Sequence, residues 1–138
     1  MRHDAMLAVA LGLLLAAPAS AQHAAPAGAR VYFIAPQNGA VISGPVHVVM
    51  GLQGMGIAPA GVEKEKTGHH HLIIDTDYTE LDYSIPNDKT HVHFGGGQTE
   101  ADVVLPPGEH TLYLLLADEN HLAFKPSIQS EKIKITVK

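Results

Sequence analysis

The sequence predicts an all-β domain, an Ig-like Greek-key β-sandwich of about seven strands. Turn signals recur every 8–15 residues, the runs between them alternate apolar and polar side chains, and no run holds a sustained helical period. The turns fall at Pro36-Gln37-Asn38-Gly39, at Ser43-Gly44-Pro45 and in a Gly-rich stretch from Gly51 to Gly61. They continue at Pro86-Asn87-Asp88, Gly95-Gly96-Gly97, Pro106-Pro107-Gly108 and Asp118-Glu119-Asn120.

Each strand has its own argument. Val31, Phe33 and Ala35 share one face of the first, and Val46, Val48, Met50 and Leu52 one face of the second. In the third, Leu72, Ile73 and Ile74 are apolar in succession, which suits a central strand buried on both sides. A fourth carries His91-Val92-His93. Ala101, Val103 and Leu105 define the next, and Leu112, Leu114 and Leu116 the one after. In the last, Ile133, Ile135 and Val137 alternate with Lys132, Lys134 and Thr136, an edge-like pattern with one wet face. The longest connections, 53–68 and 76–89, are long enough to be functional or mobile, and the stretch 75–88 is acidic.

The N-terminus predicts export. Arg2 and His3 precede an apolar run from Ala5 to Ala17, followed by Pro18-Ala19-Ser20-Ala21, the pattern of a cleavable signal peptide. Cleavage is expected after Ala21, with the periplasm as the destination. That leaves residues 22–29 as a flexible lead-in and 30–138 as one domain. The run is too short for a bilayer span, which needs about 20 residues, and no later segment is long and apolar enough.

The net charge of −5 and a surface of mixed sign argue against nucleic acid or anionic membrane as partner. With no cysteine there is no disulfide, no thiolate nucleophile and no cysteine-based metal site. The serines lack a Gly-x-Ser-x-Gly elbow. Asp75-Thr76-Asp77-Tyr78-Thr79-Glu80 lacks the glycine and closing glutamate of a calcium hand. Gly95-Gly96-Gly97 precedes a strand rather than a helix, so it is no phosphate cradle.

Histidine is the anomaly. The chain holds 10 of them, six of them in Gly68-His69-His70-His71, His91-Val92-His93 and Asp118-Glu119-Asn120-His121, with His47 and His110 apart. Residues two apart on a strand share a face, so His69 and His71 project together, as do His91 and His93. Two such pairs offer four imidazole nitrogens, the commonest protein ligands for zinc, copper and nickel. In an Ig-like sandwich the three clusters gather at one end, with His47 and His110, read as structural, at the other. Met55, in a Gly-Met-Gly loop, is a further soft donor, whereas Met50 belongs to the core.

These strings resemble the bacterial DUF4399 family. The resemblance is carried by Gly54-Met55-Gly56-Ile57-Ala58-Pro59-Ala60-Gly61 and Thr67-Gly68-His69-His70-His71-Leu72. It continues in His91-Val92-His93-Phe94-Gly95-Gly96-Gly97-Gln98-Thr99-Glu100 and in Leu105-Pro106-Pro107-Gly108-Glu109-His110-Thr111-Leu112, through Asp118 to His121. It implies a small exported domain, lends no mechanism, and keeps His70 and His110 among the candidates.

The expectation is a periplasmic, non-enzymatic protein that binds copper or zinc through His69, His71, His91, His93 and His121, with binding that weakens below pH 6 as ordinary imidazoles protonate. Two alternatives stand beside it. In one, an interaction module meeting another envelope protein, dispersed rings would face backbone carbonyls. In the other, a metal-dependent enzyme, Glu100 or Glu119 would serve as general base. Ring nitrogens converging to about 3–4 Å would favour the metal.

Overall fold

The computed structural model describes residues 21–138. The expected signal peptide, 1–21, lies outside the described residues apart from Ala21. Nine strands form among them: β1 (Arg30–Ala35), β2 (Val41–Ile42), β3 (Val46–Gln53), β4 (Gly56–Ile57), β5 (Thr67–Ile74), β6 (His91–His93), β7 (Glu100–Val103), β8 (Gly108–Ala117) and β9 (Ile133–Val137). The surplus over seven is β2 and β4, two residues each, too short to show any alternation. Among the described residues no helix is long and apolar enough to cross a membrane.

One sheet has the order β1-β3-β7 and is antiparallel; the other has the order β2-β9-β8-β5-β4, with β6 also on β5. Strand β2 runs parallel to β9, while β8 and β9 are antiparallel. Two sheets with β1, β3 and β7 facing β9, β8, β5 and β6 reproduce the immunoglobulin-type order of the A-B-E and G-F-C strands. The fold is therefore the expected all-β sandwich. Strand β9 shows the expected wet face, but it lies between β8 and β2 rather than at an edge.

The main core fills the space between the sheets. Val31, Val46, Val48 and Met50 meet Leu72, Ile74, Leu112, Leu114, Leu116, Ile133, Ile135 and Val137 there. Burying each large aliphatic side chain is worth about 1.5–3 kcal/mol. A second apolar cluster covers the outer face of the larger sheet, where Ile73, Tyr113, Leu115 and Ala117 pack under Ile85 and Ala123, with Tyr78 and Leu81 beside them. The acidic connection after β5 thus has a structural role, as it supplies the apolar side chains that roof this face. Strand β5 is consequently buried on both sides along nearly its whole length.

Residues 22–29 are docked rather than flexible. The Ala25 N–H donates to Lys125 O, the Lys125 N–H donates to His23 O, and Gln22 Nε2 donates to Leu81 O and Ala123 O. The lead-in expectation considered only side chains with something apolar to bury. The attachment is made mainly by backbone pairing, the Gln22 amide and the His23–Glu119 contact, with only the small side chains of Ala25 and Ala29 against the core, so it leaves little hydrophobic signature.

Candidate metal centre

Three consecutive histidines open β5, and alternation splits them. His70 shares a face with Leu72 and Ile74 and enters the main core opposite Leu116. His69 and His71 share the outer face with Ile73, opposite Ala117 and Leu115. All three are 0% exposed. Strand β6 sets His93 directly opposite His71. The turn after β8 brings in His121, whose φ of 63° lies in the left-handed region that histidine enters more readily than most side chains. Asp118 closes that turn, its Oδ1 accepting the N–H groups of Asn120 at 2.8 Å and Leu122 at 3.0 Å.

His69, His71, His93 and His121 converge. Each offers one ring nitrogen, and these four atoms lie within 4.8 Å of one another. His71 Nε2 is 3.0 Å from His69 Nε2, which is 3.2 Å from His121 Nδ1. The six pairs of ring centroids are 4.5–6.0 Å apart. The rings face one another and not carbonyls. A zinc–nitrogen bond of about 2.0–2.1 Å places tetrahedral ligand nitrogens about 3.4 Å apart, close to the separations found here.

The same arrangement is poorly satisfied by hydrogen bonds alone. A neutral imidazole has one N–H and one lone pair, and His69 Nε2 must serve two neighbours. His69 Nδ1, His71 Nδ1 and His93 Nε2 are buried without a partner. Each unsatisfied buried group costs about 1–3 kcal/mol. One cation among the four nitrogens removes the conflict at the centre, since it takes the inward lone pair of every ring.

Burial also sets the charge state. Desolvation, aided by the neighbouring imidazoles His93, His121 and His70, pushes His69 down to about 4; desolvation and the same surroundings push His71 down to about 2. His93 is lowered by desolvation first and by His121 second. His69 and His71 are therefore neutral and ready to ligate well below the ordinary imidazole range, and His93 is shifted in the same direction. For His69 and His71 direct proton competition for a metal thus begins below the ordinary imidazole range.

The remaining candidates lie elsewhere. His91 shares the sheet face of His93 but sits opposite Ile73, one pair further along, and is not part of the converging group. Its Nδ1 is 2.8 Å from Asp88 Oδ1, and its ring stands edge-on to Tyr78. His110 uses both nitrogens, to Asp75 Oδ2 and Pro106 O at 2.7 Å each, and the Asp75 contact raises its pKa. His47 pairs with Asp102 at 2.7 Å. Met55 is half-buried against the main core. Glu100 lies near His47, and Glu119 bonds His23. The cluster occupies the outer face of the larger sheet under the 118–121 turn, at the end where β5 starts and β6 and β8 finish, while His47 and His110 lie near the starts of β3 and β8.

Two residues outside the original candidates shape the site. Gly95 lies beneath the His93 ring, where a β-carbon would overlap Cε1 and Nε2. The Phe-Gly that follows His-x-His carried that signal. Asp118 holds the turn that presents His121.

His70 is a separate case, because both its ring nitrogens are buried without a partner and desolvation lowers its pKa to about 4. A His70→Leu variant should be more stable than the parent by about 1–3 kcal/mol at pH 6–7, since an apolar side chain of similar size leaves nothing unsatisfied. Urea denaturation followed by circular dichroism measures it, and a destabilised variant would mean that His70 has a partner in solution.

A family model described as "Domain of unknown function (DUF4399)" matches residues 48–138, a span that includes all four converging histidines. No curated protein matches the chain. Among solved structures, the endo-beta-1,4-mannanase from Thermotoga petrophila is similar at 20% identity with a TM-score of 0.45, over 80% of this chain and 20% of that one. This chain thus corresponds to 20% of that enzyme chain, and so distant a likeness carries no argument about activity.

Proposed function

The chain belongs to the DUF4399 family, and from that premise we propose an exported periplasmic protein that binds one divalent transition cation, zinc or copper, through His69, His71, His93 and His121. The family carries no activity of its own to transfer, so the reading rests on geometry. A single observation carries it: four imidazoles from three separate segments converge in a buried space and face each other rather than hydrogen-bond acceptors. Four protein ligands close the coordination sphere, the pattern of a site that holds a metal rather than one that works on a substrate. An all-nitrogen, near-tetrahedral set suits zinc, while copper(II) favours a flatter geometry. Export is supported by the basic start, the apolar run from Ala5 to Ala17 and the Ala19-Ser20-Ala21 tripeptide.

Calorimetric titration of tag-free protein with zinc and with copper(II) at pH 7.5 tests the proposal. One equivalent should bind, His93→Ala and His121→Ala should each weaken binding by about 100-fold, and His91→Ala should stay within about threefold of the parent. Parent protein that takes up neither ion overturns the reading and leaves a histidine-rich interaction module. Undiminished binding in both ligand variants overturns the ligand assignment.

A further inference from the structure

We propose a second cation site, outside the four-histidine cluster, in which His23, Asp118 and Glu119 bind one divalent first-row cation whose remaining coordination positions open onto a cleft. One ligand atom from each of the three residues lies within 4.8 Å of the others. His23 Nε2 is 3.0 Å from Glu119 Oε1 and 3.9 Å from Asp118 Oδ2.

The Asp118 side chain provides the independent observation. The residue is 1% exposed. Its Oδ1 does the work of the turn, accepting from Asn120 and Leu122, and an asparagine would serve that purpose equally. Its Oδ2 is buried and accepts no hydrogen bond, a costly state for a carboxylate oxygen. A cation is what that oxygen lacks. His23 is held over it because its segment is anchored at Ala25, Lys125 and Gln22, so the three donors are in place before any ion arrives. On binding, Nε2 turns its lone pair to the cation in place of the contact with Glu119, so a neutral His23 ring carries its proton on Nδ1 and a protonated one releases one proton to solvent.

The surroundings indicate the coordination class. His23 and Glu119 line a cleft of about 370 Å³ that also reaches Lys66, Thr67 and Phe124. Three protein donors beside open space leave room for water in the coordination shell. One imidazole with two carboxylates is a harder donor set than four imidazoles, so it suits manganese(II) better than the histidine cluster does. His23 lies before the family-matched span of 48–138, whereas Asp118 and Glu119 lie inside it.

The probe is manganese(II), titrated into protein preloaded with one equivalent of zinc, with the six-line resonance of the free aqueous ion as readout. One equivalent should bind. Asp118→Asn, which keeps the Oδ1 hydrogen bonds, and His23→Ala, which lies on the docked N-terminal segment, should each weaken manganese binding at least about tenfold, and His23→Ala should leave zinc affinity unchanged. The same titration on metal-free His93→Ala protein reads this site even if the four-histidine site fails. No manganese uptake by the parent overturns the proposal, as does equal uptake by both variants.

Discussion

Metal-free protein should lose most of its stability between pH 6.5 and pH 4. His69 and His70 are held near 4 and His71 near 2, desolvation being the largest cause for each, and His93 is lowered as well. An unfolded chain takes up a proton at each of these positions near pH 6.5, whereas the folded chain does not. Their contribution to stability is therefore complete above pH 6.5 and drains as the pH falls toward the folded values. By pH 5 each ring held near 4 or below has forfeited on the order of 1–2 kcal/mol. His69, His70 and His71 together approach the total stability of a small domain, about 5–15 kcal/mol.

His110, His47 and His23 act in the opposite sense, their pKa values being raised chiefly by hydrogen bonds to Asp75, Asp102 and Glu119. What they contribute is present below pH 6.5 and lost as the pH rises through their folded values. They lie nearer the surface, so the buried group dominates. Urea midpoints followed by circular dichroism from pH 7.5 to 4.5 should fall steeply, and less steeply for His70→Leu. Zinc should displace the fall to lower pH, because a cation that binds only the folded form adds stability by mass action. A flat profile in the metal-free protein would mean that these rings are hydrated or charged in the fold.

The β-sandwich was legible because its main signal is period two, and that period survives as buried and exposed positions in turn through β9 and the first half of β3, whereas the second half of β8 is buried on both faces. The two-sided burial of β5 showed in Leu72-Ile73-Ile74, and the His69/His71 pair showed in its spacing. The choice between His91 and His93 did not show. Both lie on one face, and only the pairing register, which sets His93 against His71 and His91 against Ile73, separates them. Register is fixed by contacts between strands, and no local pattern in His91-Val92-His93 encodes it. The roof over the outer face was equally hidden, since Tyr78, Leu81, Ile85 and Ala123 come from connections without periodicity. His23 was invisible for a further reason, as its segment is ordered by hydrogen bonds to residues about a hundred positions away.

Gly95→Ala should reduce zinc affinity nearly as much as removal of His93 itself, by about 100-fold. A β-carbon at Gly95 would fall on Cε1 and Nε2 of the His93 imidazole, closer than real β-carbons approach any atom, and the obstruction is the ligand ring itself. Gly95 is not among the glycines with positive φ, so alanine is compatible with the backbone and the effect is confined to space. The ring must swing away, which displaces it from a group whose ligand atoms lie within 4.8 Å of one another. Gly96→Ala is the matched control. There a β-carbon meets only the end of the Gln98 side chain, at 3.1 Å, and a flexible amide can move aside. Calorimetry on the pair gives a direct reading. Loss at residue 95 with retention at 96 means that His93 binds from the position the glycine leaves open. Equal affinity in both variants would remove His93 from the ligand set and leave three histidines, a coordination sphere open to water.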